Sequence, residues 1–121
     1  MTATVQSLVD ETRVLLRDPV PTAQGASPYY SNDLIARGIA DAYRRLCAKQ
    51  PSERYAGGVI DDVVFPTATA DLLAFSLTFE DRRRRGLVHF AAACCHEADI
   101  NDSVHQQLAQ TLRAMAEQEF S

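Results

Sequence analysis

Apolar residues recur at helical spacing from the start of the chain. Val5, Leu8, Val9, Thr12, Leu15 and Leu16 fall on one face, with Asp10 and Glu11 on the other, and this pattern predicts a helix over about residues 4–17. Pro19 ends it, because the residue before a proline is pushed out of the α region. Residues 18–30 carry no periodicity and contain Pro19, Pro21, Gly25 and Pro28. They read as an exposed loop, mobile or ordered only against a partner. A second helix opens at Ser31, whose hydroxyl can accept a bond from an orphan backbone N–H of the first turn. Tyr30 before the cap can staple onto Ile35, and Asp33 suits the positive helix end. Leu34, Ile35, Ile39, Ala42, Tyr43, Leu46 and Cys47 form its buried stripe. Arg37, Arg44, Arg45 and Lys49 face solvent or a partner, and Gln50-Pro51 closes the helix. Gly38 weakens this helix by about 1 kcal/mol against Ala and is expected to admit a close neighbour, the first helix or another element.

The pattern changes after Pro51. Gly57-Gly58 breaks the chain, Val59-Ile60 and Val63-Val64-Phe65 are β-branched or aromatic, and Leu73, Phe75, Leu77 and Phe79 alternate onto one side. A short strand or an extended arm over 57–79 is one reading, and a helical turn beginning near Asp71 competes with it. A third helix is expected over about 81–98 with Leu87, Phe90, Ala91, Cys94 and Ala98 on its core face. A corner at 99–102 leads to a fourth, from Ser103 to about Phe120. There Ser103 and Gln106 fit a capping box, and Val104, Leu108, Leu112 and Met115 are the expected core side. No repeat or low-complexity run appears. The expected fold is mainly α: one domain over 1–121, a small four-helix bundle with an extended arm or short strands between the second and third helices.

Composition narrows the class. A chain of 121 residues, 46% apolar and without Trp, suits one modest core of Leu, Val, Ile and Ala. A net charge of −4 argues against a dedicated nucleic-acid grip, which rests on neutralising phosphates. It leaves room for DNA passing nearby unheld. Three cysteines, Cys47 and the adjacent Cys94 and Cys95, make no disulfide framework and suit a reducing compartment. No signal peptide is expected, and no apolar run approaches the roughly 20 residues that cross a bilayer.

Candidate chemistry is thin. Cys94-Cys95-His96, with His89, Glu97 and Asp99 near, is the possible metal site. Adjacent helical residues point about 100° apart, so the two thiols cannot face one ion ideally, although His96 and Asp99 share a face. The alternative is a core cysteine, a neighbour at an interhelical seam and an exposed histidine. A nucleophilic set drawn from Cys47 or Cys94 with His89, His96 or His105 lacks a turn or helix N-terminus to lower the thiol pKa. No phosphate loop is present.

Arg82, Arg83, Arg84 and Arg85 are the anomaly. They occupy the first turn of a helix, where the dipole is already positive and each cation costs about 0.3–1 kcal/mol before screening. Glu80 and Asp81 offset part of that charge. The cluster is a solvated, salt-bridged helix end with snorkelling stems, a dock for an acidic partner surface, or a contact for DNA phosphate. On the docking reading, replacing all four by Ser leaves the isolated monomer folded and impairs attachment.

The order Val-x-x-Leu-Val, Leu-Leu-Arg-Asp-Pro, loop, Tyr-Ser-x-x-Leu-Ile, Ala-Tyr-Arg-Arg-Leu and Pro, over residues 5–51, resembles the head–tail connector (adaptor) proteins of tailed bacteriophages. Those proteins follow it with an extended region, an acidic corner and two antiparallel helices, as 79–120 does here. Residues 51–79 are shorter than in larger members. The resemblance implies a structural virion protein at the capsid–tail junction, assembled in the host cytoplasm. It implies a ring of about a dozen copies beneath the portal protein. That ring extends the DNA channel and docks a downstream tail or stopper protein. Double-stranded DNA then passes without sequence-specific binding. The resemblance implies no catalytic residue, metal or cofactor. Arg82, Arg83, Arg84, Arg85, Tyr29, Tyr30, Phe75 and Phe79 are the expected contacts with portal or neighbouring subunit. The alternatives are a helical regulatory or DNA-binding protein, and a small metal-dependent enzyme using His96 and Asp99.

Overall fold

The computed structural model describes residues 2–16, 30–50, 65–98 and 103–120. Its elements run β1 (Thr2–Thr4), α1 (Val5–Leu16), α2 (Asn32–Lys49), α3 (Thr69–Ala74) and β2 (Ser76–Thr78). A single 3-10 turn at Asp81–Arg83 leads into α4 (Arg84–Ala98), and α5 (Ser103–Glu119) follows. The protein is mainly α; among the described residues it has the four expected long helices, one short one and a two-stranded antiparallel sheet. The loop before Tyr30, the arm before Phe65 and the corner 99–102 lie outside the described residues, as do the side chains of Ser103 and Val104.

Start signals act as expected in α2. The Ser31 hydroxyl accepts from the backbone N–H of Leu34 at 3.1 Å. The stripe Ile35, Ile39, Ala42, Tyr43, Leu46 and Cys47 is buried, with Leu34 packed at its edge. In α1, Val5, Leu8, Val9 and Thr12 are buried. The buried Thr12 hydroxyl is satisfied by donating to the carbonyl of Leu8 at 2.8 Å. Leu15, expected in that stripe, is instead exposed.

The described part of the expected arm does not reach outward. Its two competing readings occur in succession, a helical turn (α3) and then a strand (β2), and both fold back on the core. Leu72, Leu77 and Phe79 are buried. β2 pairs with β1, which the sequence pattern did not anticipate, in the register Thr2↔Thr78, Ala3↔Leu77 and Thr4↔Ser76. The Tyr43 hydroxyl donates to the carbonyl of Thr78 at 2.9 Å and ties α2 to this sheet.

α4 is the centre of the fold, packed by α5, α2 and α1. Residues 86–93 are buried all round, with Gly86, Ala91, Ala92 and Ala93 as its small members. A helix contacted on several sides needs small residues where backbones approach. The neighbour admitted by Gly38 is α4: a methyl there would lie 3.2 Å from the Ala91 Cα. Ala98, expected on the core face, is exposed at the end of the helix.

The α5 face differs from expectation by one residue. Ala109, Ala116 and Phe120 are buried, whereas Leu108 and Met115, expected in the core, are 44% and 39% exposed. The reason is steric. α5 packs along α4, and alanine rather than leucine fits the close spacing.

Phe120 fills the space that Gly86 leaves open: a Cβ at Gly86 would stand 2.7 Å from the Phe120 Cε1. Overpacking costs about 1–3 kcal/mol, against roughly 1 kcal/mol of helix propensity recovered by Ala. Gly86→Ala should therefore lower stability in urea unfolding by about 1–2 kcal/mol. Combined with Phe120→Ala, it should cost less than the sum of the two single changes, because the collision is gone.

Candidate interaction surface

The four arginines do not form a single basic face. Arg82 is exposed and paired with Glu80 at 2.6 Å. Arg83 is 3% exposed, and its guanidinium donates to the carbonyl of Glu119 at 2.8 Å. Arg84 is largely covered and bridges to Glu11 of α1 at 2.6 Å. Arg85 is exposed. The cluster thus works mainly inside the molecule. Arg83 holds the end of α5 and Arg84 holds α1, each by a charge-assisted bond. Arg83 is withdrawn from the expected contact set for this reason, and replacing all four is no longer compatible with an undisturbed fold.

The aromatic expectations divide in the same way. Tyr29 lies outside the described residues. Tyr30 is buried, its carbonyl accepting from Arg13 at 2.9 Å, and its ring meets His96 edge-on. Phe79 is buried in the core. Phe75 is half-buried, its ring 5.4 Å from that of Phe65. Tyr30 and Phe79 are therefore core residues rather than contact residues. They are apolar enough to be drawn inside once β2 and α2 form.

The cysteine–histidine stretch is dispersed by the helix that carries it. Cys95 is fully buried, while Cys94 is half-buried and His96 reaches Tyr30. Burial pushes the Cys94 thiol up, against the opposing pull of the Arg113 guanidinium, so it is a poor thiolate. Arg113 itself is held by two bonds to Glu97, at 2.7 and 2.6 Å, and stacks 4.7 Å above the Phe90 ring. Among the described residues no group of three His, Cys, Asp or Glu side chains comes together.

The surface feature that sequence reasoning missed lies on α5. Every charge among its described side chains is paired with a group on α2 or α4. Arg113 pairs with Glu97, Glu117 with Arg45 and Lys49, and the Glu119 carboxylate lies 3.1 Å from the His89 Nδ1. What faces solvent is Gln107, Leu108, Gln110, Thr111, Ala114, Met115 and Gln118. No charge interrupts this strip, whereas the outward face of α2 carries Arg37, Asp41, Arg44, Arg45 and Lys49. A second exposed apolar pair stands at the end of α1, Val14 at 76% and Leu15 at 43%. The signal for the α5 strip was present in the sequence as Ala109, Ala116 and Phe120, a second stripe built of smaller residues beside the larger one.

Two outcomes follow from these contacts. Arg83→Ala should cost roughly 1–3 kcal/mol by orphaning a covered carbonyl, while Arg85→Ser should stay within about 0.5 kcal/mol, both read by urea unfolding. The bonds from Arg45 and Lys49 hold the Glu117 carboxyl below its ordinary value of 4.5. A depressed carboxylate contributes its full stability above the unfolded value and loses it as pH falls through the folded one. Glu117→Gln should therefore be less acid-sensitive between pH 7 and pH 3, by no more than about 1 kcal/mol for so exposed a pair. Comparison with family models, with curated proteins and with solved structures yields no match for this chain.

Proposed function

We propose that this protein is a structural component of a tailed-bacteriophage virion, a head–tail connector. Copies of it form a ring beneath the portal protein, extend the DNA channel and present a platform to the next tail or stopper protein. The observation that carries this reading is the outward face of α5, uncharged along its described length and bearing exposed Leu108 and Met115. Large apolar side chains on a face stripped of charge fit contact with another protein better than contact with water. The helical order of residues 5–51, which resembles the connector family, supplies the kind of assembly.

Electrostatics supports the conduit. A net charge of −4, with Arg82 and Arg84 paired to carboxylates, gives little to hold phosphate, so DNA moves past without being retained. The mechanism is mechanical: no bond is made or broken, and the work lies in closing a ring and matching the surfaces above and below it. No described helix is long and apolar enough to cross a membrane.

Electron microscopy of the protein with its portal-bearing capsids tests the reading. A ring seated at the capsid vertex is the expected result. Protein that stays off the vertex, or a salt-dependent complex with free DNA, overturns it in favour of a DNA-binding regulator.

A further inference from the structure

A covered titratable pair lies apart from every contact that assembly calls on. His89 of α4 is 8% exposed, and its Nδ1 stands 3.1 Å from the Oε1 of Glu119 in the last turn of α5. Close as they are, the His89 Nδ1 and the buried Glu119 Oε2 each lack a hydrogen-bond partner. A polar atom left unsatisfied in the interior is costly. A proton completes the pair. A neutral imidazole carries one N–H, on either nitrogen, whereas an imidazolium donates from both. Protonation therefore fixes a donor at Nδ1 and sets a positive charge against the Glu119 carboxylate.

The other charges brought to α4 are engaged elsewhere or exposed. α1 brings Glu11, bridged to Arg84, Asp10, which accepts from Gln6, and Arg13, which donates to the Tyr30 carbonyl. α2 brings Arg45 and Lys49, both on Glu117 of α5, while Asp33 and Asp41 bind Arg37 and Arg44. α5 also brings Arg113, held by Glu97. Before α4, Glu80 is bound to Arg82 and Asp81 is exposed. On α4 itself Arg83 donates to the Glu119 carbonyl, the exposed Arg85 stands one turn before His89, and His96, two turns after it, meets the Tyr30 ring. Among the described residues Glu119 is thus the carboxylate placed to answer a proton on His89.

We propose that His89 and Glu119 form a proton-operated latch: a proton on His89 fastens the last turn of α5 to α4, and its loss frees that turn. Glu119 sits between the Arg83 bond to its carbonyl and Phe120, whose ring fills the space over Gly86. Loosening Glu119 lifts Phe120 away from Gly86 and bares an apolar ring and its slot. Earlier turns of α5 stay docked through Ala109 and through Arg113 on Glu97, so the opening is local. The stability supplied by the proton is present below about pH 6.5, where histidine of an unfolded chain is charged, and fades as pH rises. Below about pH 4.3 the glutamate takes up a proton of its own and the pair is lost again. The latch works whether or not the protein sits in a virion.

A double-mutant cycle read at two pH values tests this. Wild type, His89→Gln, Glu119→Gln and the double variant are unfolded in urea at about pH 6 and about pH 8.5, on either side of the histidine range. Coupling between the two positions should change the unfolding equilibrium constant by at least about fivefold at the lower pH and by less than about twofold at the higher. Hydrogen exchange, corrected for the intrinsic effect of pH, reads the local opening. Protection of residues 113–120 relative to α2 should fall by about fivefold or more at the higher pH in wild type and stay level in His89→Gln. Should His89→Gln fail to fold, Glu119→Gln decides alone: the ratio of its unfolding constant to that of wild type should be at least about fivefold larger at the lower pH. Coupling that is equal at both pH values marks the pair as packing only and overturns the latch. So does protection at 113–120 that tracks α2 across the range, or a Glu119→Gln deficit that does not change with pH.

Discussion

Close approach to α4 is the constraint on which the fold depends. Gly38 lets α2 reach the Ala91 backbone, Gly86 makes room for the Phe120 ring, and Ala92 and Ala93 are wholly buried between neighbours. A helix surrounded in this way gains little from large side chains, because each would hold its neighbours apart. Small residues raise the number of van der Waals contacts between backbones instead, and close packing makes even one added methyl count. The alanine-rich composition is thus a requirement of the packing.

The same constraint decides what reaches the surface. α5 packs through Ala109 and Ala116, so its bulkier residues are left outside. The charges of α5 then bend back to α4 and α2, where Glu97, Arg45 and Lys49 meet them. Buried arginines play a related part. Arg13 donates to the Tyr30 carbonyl and Arg83 to the Glu119 carbonyl, each at the end of a helix where backbone acceptors lack intrahelical donors or the chain turns. These long side chains do the work of caps at a distance.

Much of this architecture was legible in the sequence. Ser31 and Pro51 bracket α2, Pro19 follows α1, and the apolar run after Arg85 marks α4. These are local signals that act within a turn or two. The face of α5 was legible only as two competing stripes, because hydrophobic periodicity ranks Leu108 and Met115 above Ala109 and Ala116, whereas spacing to α4 ranks them the other way. The stripe of Leu87 and Phe90 projects back onto Arg83 and Arg84 and so marks one of them as leaning over the core edge, but the acceptor of Arg83 was hidden, 36 residues away along the chain. β1 is three residues long and carries no alternation of its own; its partner strand defines it. Consequently the candidate surface was misplaced onto Tyr30, Phe79 and Arg83, all of which the tertiary fold takes inside.

The pairing of β1 with β2 has a consequence for synthesis. Thr2 and Thr78 meet across a separation of 76 residues. At about 5–20 residues per second on the ribosome, the leading strand waits roughly 4–15 s before its mate is translated. During that interval Ala3, Val5 and Leu8 lack the shelter of β2 and α4, which are translated later. Ribosome pausing before Ser76 would lengthen the time in which that apolar edge meets chaperones instead.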